Sequence, residues 1–402
     1  MSEMSYLEKL LDGVEVEWLP LGEVSALRRG RVMSKGYLTE NFGPYPVYSS
    51  QTANNGKIGS INTFDFDGEY ISWTTDGANA GTVFYRTGKF SITNVCGLIT
   101  LKSKYPLIYK FLFYWLTIEA KKHVYSGMGN PKLMSHQVEN IPVPIPCPDN
   151  PEKSLAIQSE IVRILDKFTA LTAELTAELN MRKKQYNYYR DQLLSFDEGE
   201  VEWKALGEVA KIQRGASPRP IVNYLTEQGN GIPWIKIGDT IPGSKYIDKT
   251  LQKITAEGAQ KSRILNPGDF VISNSMSFGR PYILRITGAI HDGWASISNF
   301  GEKLNADYLY HYLSSKKVKN YWESKINSGS VSNLNADIIK TLPVPLPDKQ
   351  KQERISALLD KFDTLTNSIT EGLPREIELR QKQYEYYRDL LFSFPTPETV
   401  SN

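Results

Sequence analysis

The chain has 402 residues, of which 40% are hydrophobic and 23% are charged, and its formal net charge is +2. The length allows two or three domains of ordinary size, and the composition is typical of a globular protein. No run of about 18 apolar residues predicts a membrane span, and residues 1–4 do not begin a signal peptide. The two cysteines, Cys96 and Cys147, stand in unrelated contexts, which fits a reducing cytoplasm.

Charge is distributed unevenly along the chain. Residues 20–150 and 201–347 carry more basic than acidic side chains, whereas 151–200 and 348–402 carry more acidic ones. A basic globular stretch is compatible with binding of a polyanion. It is equally compatible with an ordinary solvated surface, so charge alone decides nothing.

The chain is an imperfect tandem repeat, and its repeated blocks form a frame. Residues 16–24 return as 201–209, and each copy is followed by an Arg-Gly pair, Arg29-Gly30 or Arg214-Gly215. Three more blocks recur in the same order: 141–146 and 342–347, 165–168 and 359–362, and 184–191 and 382–389. Chance does not explain four ordered matches. The repeat is also cyclic, because residues 10–11 match 193–194, and this predicts a pseudo-two-fold relation between the halves.

The segments inside this frame differ between the halves. Residues 43–86 and 232–285 both read as short strands with Gly, Asn and Ser turns, but their sequences are unrelated. Each is followed by an aromatic-rich helical stretch, 106–124 or 306–326. We therefore predict two globular domains at 1–150 and 201–347, each followed by a helical segment, at 151–200 and 348–402. A duplicated frame suits a duplicated docking role, and divergent contents suit two different ligands.

The two helical segments carry apolar residues at spacings of three and four, as a coiled-coil seam does. Forty residues of helix span about 60 Å, and one seam needs a partner, so we expect the two helices to pair antiparallel. Gly372 and Pro374 predict a break in the second helix. The proline-rich runs before the helices are expected to stop the preceding strand and set the entry angle. The predicted helix and subunit interface consists of Ile161, Phe168, Leu171, Leu175, Leu179, Tyr186, Tyr189, Phe362, Leu365, Tyr384 and Tyr387.

A four-residue micro-repeat lies inside the first helix. Residues 171–174 read Leu-Thr-Ala-Glu, and residues 175–178 repeat them. A four-residue step is a stutter relative to the heptad. One interpretation is a helix with a local irregularity. The other is a length-adjusting element, because each unit adds about 6 Å of helix.

These blocks resemble the specificity subunit of type I restriction–modification systems, and the micro-repeat is most similar to the type IC branch. The resemblance covers the frame (16–24, 142–146, 155–196, 201–207, 343–347 and 352–394) and is weakest in the divergent segments. It implies an α+β fold in which two α/β target recognition domains are joined by the two helices. It also implies a DNA-reading subunit without catalytic activity, whose double-stranded target is bipartite with a non-specific spacer.

The resemblance further implies partners that carry the chemistry. Two modification (methyltransferase) subunits would bring S-adenosylmethionine, and two restriction subunits would bring the ATP- and Mg-dependent motor and nuclease. No cofactor or metal is expected on this chain itself. The target sequence does not carry over, because the divergent segments are the parts that read it.

Motifs of catalysis are missing from the sequence. There is no Asn-Pro-Pro-aromatic tetrad of an amino-methyltransferase, and the four histidines lack metal-ligand spacing. Glu323-Ser324-Lys325 resembles part of a nuclease motif, but a solvated helix face is the better interpretation. His291-Asp292 is interpreted as a turn before Gly293 rather than as an acid–base pair. Two alternatives stay open: a methyltransferase or nuclease with an unrecognised site, and a coiled-coil tether with no DNA role.

Candidate DNA contacts are the basic and small polar residues on predicted loops, because phosphates and base edges are bound by such groups. Any of them could instead be a solvated loop residue or a turn former. Trp234 and Trp294 are predicted to be core rather than stacking platforms. The candidates are Arg28, Arg29, Arg31, Gln51, Lys57, Thr75, Asn79 and Lys132 in the first half, and Arg214, Ser217, Arg219, Lys236, Ser275, Ser277, Arg280, Asn327 and Ser330 in the second.

Overall fold

The computed structural model describes residues 9–10, 13–127, 129–227, 229–241, 243–274, 279–327 and 333–395. The chain divides into two compact units. Unit 1 comprises Met1–Leu171 and Arg380–Asn402, and unit 2 comprises Thr172–Leu379. Both units combine helices with β-sheets, which confirms the predicted α+β class. Both unit boundaries fall inside helices, so each unit contains part of both helical segments.

Unit 1 is built on a six-stranded sheet of order β2-β7-β5-β6-β3-β4, in which only β3 and β6 are parallel neighbours. Trp73 anchors the core: it is 1% exposed, and its Nε1 donates to the Leu133 carbonyl at 3.0 Å. A Cβ on Gly97 would lie 2.1 Å from the Trp73 ring, so only glycine fits opposite it. The strands are β1 (Val16–Pro20), β2 (Ser25–Arg29), β3 (Phe42–Tyr48), β4 (Lys57–Ile61), β5 (Phe66–Thr74), β6 (Val83–Ile92), β7 (Cys96–Leu101) and β8 (Pro142–Pro146).

The helices of the first half are short until the spacer helix begins. The aromatic stretch predicted at 106–124 forms a helix at Tyr109–Glu119, whose apolar face packs into the core of unit 1. The first spacer helix runs without interruption through the micro-repeat. The helices are α1 (Leu21–Val24), α2 (Lys35–Glu40), α3 (Tyr109–Glu119), α4 (Ser135–Val138) and α5 (Pro151–Leu193).

Unit 2 has two five-stranded sheets, of order β10-β19-β16-β17-β13 and β11-β14-β12-β18-β15. Trp294 of the first sheet donates its Nε1 to the Ile235 carbonyl of the second at 3.2 Å. Trp234 and Trp294 are 1% and 0% exposed, which confirms them as core residues. The strands are β9 (Glu202–Ala205), β10 (Lys211–Arg214), β11 (Leu225–Thr226), β12 (Ile232–Ile235), β13 (Tyr246–Ile247), β14 (Gln252–Ile254), β15 (Arg263–Leu265), β16 (Phe270–Ser273), β17 (Pro281–Leu284), β18 (Gly288–Ile290), β19 (Trp294–Ser298) and β20 (Pro343–Leu346).

The aromatic stretch of the second half is two helices, with Ser314 and Ser315 between them, rather than the single one expected. The second spacer segment is also interrupted, as Gly372 and Pro374 predicted. Gly372 has a φ of +74°, and a Cβ there would lie 2.5 Å from the Thr364 carbonyl, so the turn requires glycine. The helices are α6 (Leu206–Val209), α7 (Ala256–Gln260), α8 (Ala306–Leu313), α9 (Lys316–Asn327), α10 (Ala336–Lys340), α11 (Lys349–Asn367) and α12 (Gly372–Leu391).

The proline-rich runs do more than stop a strand, because they are strands themselves. β8 pairs antiparallel with β1, and β20 pairs antiparallel with β9, so the two ends of each repeat join in a two-stranded sheet. The Cys147 amide donates to Glu15 and the Leu21 amide to Ile141. Odd-numbered residues of the run therefore carry the ladder, and the prolines at 142, 144 and 146 fall where no amide donor is needed.

The aromatic helix of each half is hydrogen-bonded to its proline strand. Trp115 of α3 donates its Nε1 to the Pro142 carbonyl at 2.7 Å. Tyr312 of α8 donates its hydroxyl to the Pro343 carbonyl at 2.5 Å. The frame residues thus hold both chain ends of each globular domain and the helix that follows the divergent segment.

Spacer helices contact each other inside each unit through aromatic side chains. In unit 1, Phe168 stacks on Tyr387 with ring centroids 5.3 Å apart. In unit 2, Tyr186 and Tyr189 stack on Phe362 at 6.4 and 5.7 Å. The predicted seam is not buried throughout, because Leu171 is 37% exposed and Tyr189 is 41% exposed. The remaining seam residues are buried or half-buried, namely Ile161, Leu175, Leu179, Leu365 and Tyr384.

None of the helices in the described part of the chain is both long and apolar enough to cross a membrane. Cys96 and Cys147 are both buried and form no disulfide. Burial raises the pKa of the Cys96 thiol to about 11, so this cysteine is protonated and unreactive at neutral pH.

Candidate nucleic-acid interface

The repeated Arg-Gly pair stands at the same place in both units, at the end of β2 and of β10. A Cβ on Gly30 would lie 2.2 Å from the Ile92 carbonyl oxygen, and one on Gly215 would lie 2.1 Å from that of His291. Only glycine allows the neighbouring backbone to come so close. The Arg-Gly repeat is therefore a requirement of strand packing.

This close approach places an equivalent turn beside each arginine, and we call residues 93–96 of unit 1 and 291–294 of unit 2 the arginine-braced turns. In unit 1 the Gly30 amide donates to the Cys96 carbonyl at 3.2 Å, and Arg29 Nη2 donates to the Asn94 carbonyl at 2.7 Å. In unit 2 the Gly215 amide donates to the Trp294 carbonyl at 2.8 Å. Arg214 Nε donates to the Asp292 carbonyl at 3.4 Å. The duplicated frame thus extends into the divergent segments.

The sequence did not reveal that these turns are equivalent, because they share no residue at any of their four positions. The turns read Thr-Asn-Val-Cys and His-Asp-Gly-Trp, and they lie at different distances from the Arg-Gly pair. Each is preceded by an isoleucine, Ile92 or Ile290, whose carbonyl accepts from Arg31 or Ala216 at 3.3 Å. The two turns match in their backbone hydrogen bonds and not in their residue types, so a comparison of the amino-acid sequences cannot detect the match. The turn predicted at His291-Asp292 is confirmed.

Three candidates of the first half come together at the turn of unit 1. Arg29 Nη2 also donates to Thr75 Oγ1 at 3.3 Å. Thr75 is fully buried, so it supports Arg29 and is not free to touch a ligand itself. The residue after it, Asp76, pairs through its backbone with Lys132, which is exposed. Arg29 and Lys132 are therefore presented on neighbouring segments, with Thr75 behind them.

A second group of candidates holds the loop at 51–57. Gln51 Nε2 donates to the Lys57 carbonyl at 2.6 Å, which closes the loop. Asn79 Nδ2 donates to the Ser50 carbonyl at 3.0 Å and so ties the loop to the segment after β5. Lys57 is exposed at the end of the loop. Gln51 and Asn79 thus shape the loop, and Lys57 is the cation that it presents.

Arg86 is a structural residue of this loop that sequence reasoning missed. It is 3% exposed, and its Nη1 donates to the Asn55 carbonyl at 2.8 Å. Its guanidinium lies 3.6 Å from the centre of the Tyr48 ring, a cation–π contact. Burial lowers the pKa of Arg86 to about 10, so the side chain stays charged at neutral pH. Asn54 and Asn55 have positive φ, which is a strained backbone conformation. Buried Arg86 holds the loop in this conformation through its hydrogen bond to the Asn55 carbonyl.

The two remaining arginines of the first half lie apart from this cluster. Arg28 is exposed, and it precedes Arg29 on β2, so its side chain leaves the opposite face of the strand. Arg31 forms an ion pair with Asp65 at 3.0 Å and donates to the Tyr37 hydroxyl at 3.2 Å. The hydrogen bonds to Tyr37 and Asp65 raise the pKa of Arg31 above its ordinary value. Arg31 is thus a paired surface residue.

In unit 2, the candidates converge on Asp292 at the edge of a cleft of about 410 Å³. Its Oδ1 accepts from Ser217 Oγ at 3.0 Å, and its Oδ2 accepts from Arg219 Nη2 at 3.2 Å. Burial raises the pKa of Asp292, but the Ser217 hydrogen bond and the His291 and Arg219 charges outweigh it, and the net shift is downward. Asp292 therefore stays ionised and orders its neighbours.

Other candidates of the second half are distributed differently. Lys236 lines the same cleft and donates its Nζ to Gln252 Oε1 at 2.7 Å. Arg280 lines a separate cavity, where it lies 5.2 Å from the Tyr282 ring. Asn327 ends α9, and its side chain lies outside the described residues, as do Ser275, Ser277 and Ser330.

The globular part of unit 2 is fastened to the spacer helices by a charged network. Lys245, 7% exposed, donates to Asp307 at 2.5 Å and to Asp360 at 2.8 Å. His311 Nε2 lies 2.8 Å from Asp360, and His311 Nδ1 lies 2.9 Å from the Tyr186 hydroxyl. Burial raises the pKa of Asp360, but the His311 and Lys245 hydrogen bonds hold it below its ordinary value.

The equivalent aspartate of the repeat does the same in unit 1. Asp166, which matches Asp360 in the repeated Leu-Asp-Lys-Phe block, accepts from Lys110 at 2.5 Å and from the Tyr114 hydroxyl at 2.7 Å. Eight residues earlier, Gln158 and Gln352 are both fully buried. Gln158 accepts from the Ile108 amide and Gln352 from the Asn305 amide, at the start of each aromatic helix. The repeated aspartate and glutamine residues therefore attach each globular domain to its spacer helix.

Catalytic arrangements are scarce in the described part of the chain. It contains no group of three or more His, Cys, Asp or Glu side chains that could hold a metal ion. Glu323 forms a surface pair with Lys319 at 3.8 Å on α9, as expected of a solvated helix face. His123 pairs with Glu119 one turn away at 3.1 Å. These contacts are explained by local structure.

Comparisons with known proteins agree on one family. The family model for the type I restriction modification DNA specificity domain matches residues 13–182 and again 198–379. The type I restriction enzyme EcoR124I/EcoR124II specificity subunit of Escherichia coli is 43% identical, with both chains covered in full. The EcoprrI specificity subunit of Escherichia coli is 37% identical, covering 92% of this chain and 93% of that one.

Solved structures share the fold. The S subunit of a type I restriction–modification system from M. genitalium has a TM-score of 0.59 at 16% identity, covering 96% of this chain and 98% of that one. A chain from a structure on the assembly of a type I system has a TM-score of 0.57 at 17% identity, covering 94% and 97%. The repeated family match and the full-length relative show that the chain belongs to the DNA specificity subunits of type I restriction–modification systems.

Proposed function

We propose that the chain reads a bipartite double-stranded DNA target, with one half read by the globular part of unit 1 and the other by that of unit 2. The observation that carries this is the arginine-braced turn, which has the same backbone geometry in both units but different side chains. One scaffold with two sets of exposed residues is what two different recognition surfaces require. In this proposal, the predicted domains at 1–150 and 201–347 are the two parts that read DNA.

The exposed groups suit the two kinds of DNA contact. Lys57 and Lys132 are exposed cations, which bind phosphates without sequence preference. Arg219 and Asp292 form a charged pair at the rim of a cleft, and such fixed polar groups suit base edges. We assign the lysines to the DNA backbone and the pair to base reading.

We propose further that two methyltransferase subunits and two restriction subunits dock on the frame. In support, Tyr188 and Tyr386 occupy equivalent places in the repeat and are 62% and 56% exposed. Each forms an edge-to-face pair with the next tyrosine, with centroids 5.4 and 5.3 Å apart. Exposed, rigid aromatic residues are typical anchors of protein interfaces. The partners would hold S-adenosylmethionine, ATP and Mg; the cytoplasmic location stays a prediction.

Co-purification with the modification subunit of the same system tests this proposal. Native mass spectrometry should give two modification subunits per chain, because the docking frame occurs twice. The complex should methylate a bipartite motif, and its DNA affinity should fall steeply with salt because phosphate contacts release counterions. A complex with one modification subunit, or methyl transfer by the purified chain alone, would contradict the proposal.

A further inference from the structure

We propose that the second residue of each arginine-braced turn decides one base of the target, through Asn94 in unit 1 and through Asp292 and its partner Arg219 in unit 2. The inference rests on the proposed DNA-reading function and assigns residues to it. Asn94 would contact a base directly. Asp292 would be a positioning residue, which holds Arg219 toward the base.

The turns are suited to presenting a side chain because their backbone is held from several sides. The carbonyl of Asn94 is bound by Arg29, and that of Asp292 by Arg214. The turn also closes on itself, because the Cys96 and Trp294 amides donate to the Thr93 and His291 carbonyls at 3.0 and 3.1 Å. A side chain on such a turn starts from a fixed position, so little conformational freedom is lost when it binds.

Asn94 is exposed, and its side-chain amide makes no hydrogen bond to any other described residue. Only its backbone carbonyl is bound, by Arg29. An unused asparagine amide offers one donor and one acceptor side by side. That pair matches the N6 donor and N7 acceptor of adenine in the major groove. We therefore expect unit 1 to read an adenine through Asn94.

Unit 2 has a charged pair at the matching place. Asp292 is held by Ser217, whose hydroxyl also accepts from the Asp292 amide at 3.2 Å. Arg219 is bonded to the other carboxylate oxygen, while 81% of its side chain is exposed. An arginine fixed at one nitrogen and exposed at the rest suits the O6 and N7 acceptors of guanine. A carboxylate this close to phosphate would be repelled, so the pair is better suited to a base edge.

The test uses complexes of the chain with its modification subunit and a plasmid library in which each base of the wild-type motif is varied in turn. Asn94→Ala should reduce discrimination at one adenine-bearing position of one half-site by about 10- to 100-fold. Asp292→Asn should do the same at one guanine-bearing position of the other half-site. Continued reading of the unaltered half shows in each case that the variant chain is folded and assembled.

Matched controls use the same substitutions elsewhere in the same units. Asn62→Ala removes an exposed asparagine from unit 1, and Asp248→Asn removes an exposed aspartate that pairs with Arg285 at 3.4 Å. Both should leave the motif unchanged. Arg219→Lys keeps the charge but loses the two-pronged geometry, so it should relax the same guanine position as Asp292→Asn.

Two outcomes would overturn the inference while leaving the proposed function intact. One is an unchanged motif in both Asn94→Ala and Asp292→Asn. The other is a uniform loss of affinity with a smaller salt dependence, which would place Arg219 on a phosphate. If the wild-type complex methylated no defined motif at all, the proposed function itself would fail.

Discussion

The spacer helix offers a prediction whose size can be worked out from helix geometry. Helix α5 is continuous from Pro151 to Leu193, and its Leu-Thr-Ala-Glu units at 171–178 lie where the chain passes from unit 1 to unit 2, between Leu171 and Thr172. We propose inserting one more unit after Glu178. The change alters no residue of either globular domain, so the bases read should stay the same.

The insertion should lengthen the non-specific spacer of the target. Four residues add about 6 Å of rise and turn the helix by about 40° beyond a full revolution. DNA rises about 3.4 Å per base pair, so movement of one domain along the duplex by the full amount would add about two base pairs. Only one of the two spacer helices grows, and the helices need not follow the duplex axis, so we expect a gain of about one pair.

Long-read mapping of methylated sites in host DNA gives the motif of the insertion variant directly. A two-residue insertion at the same place is the matched control, because it turns the helix by about 200° and moves the seam to the wrong face. We expect that control to abolish methylation. Full activity of the four-residue variant with an unchanged DNA spacer would refute the idea that the micro-repeat sets the spacer length. The micro-repeat would then be ordinary helix.

Three further predictions concern the modular design and its stability. Exchanging residues 30–140 for those of a relative should change only one half of the methylated motif, and mapping that shows both halves altered would contradict it. A chain ending near residue 200 should dimerise and recognise a palindrome, because two copies present the same domain twice; a monomer in sedimentation analysis would argue against this. Asp360→Asn should lower the unfolding free energy measured in urea at pH 7 by about 1–2 kcal/mol, since buried Lys245 then keeps only Asp307 as an ion-pair partner and buried His311 loses its carboxylate, while Asp360 itself is 36% exposed and partly screened. Asp248→Asn should have a much smaller effect. The pKa of Asp360 is held low, so its stabilisation is present above the ordinary value near 3.9 and is lost as the pH falls below about 4.

Sequence by itself determined the features that depend on local periodicity or identity. The tandem repeat defined the frame, the 3–4 apolar spacing predicted α5, and Gly372 with Pro374 predicted the break between α11 and α12. The large apolar surfaces of Trp234 and Trp294 placed them in the core. These signals are readable because each follows from a residue's own chemistry or its near neighbours in the chain.

Tertiary structure alone decided which distant segments meet. The pairing of β1 with β8, the fastening of Asp166 and Asp360 to the globular domains, and the support of the 51–57 loop by buried Arg86 all join residues far apart in sequence. The arginine-braced turns show the reason most clearly. Their equivalence lies in hydrogen bonds from the Arg29 and Arg214 side chains to backbone carbonyls, and a backbone carbonyl has no side-chain identity that a sequence could display.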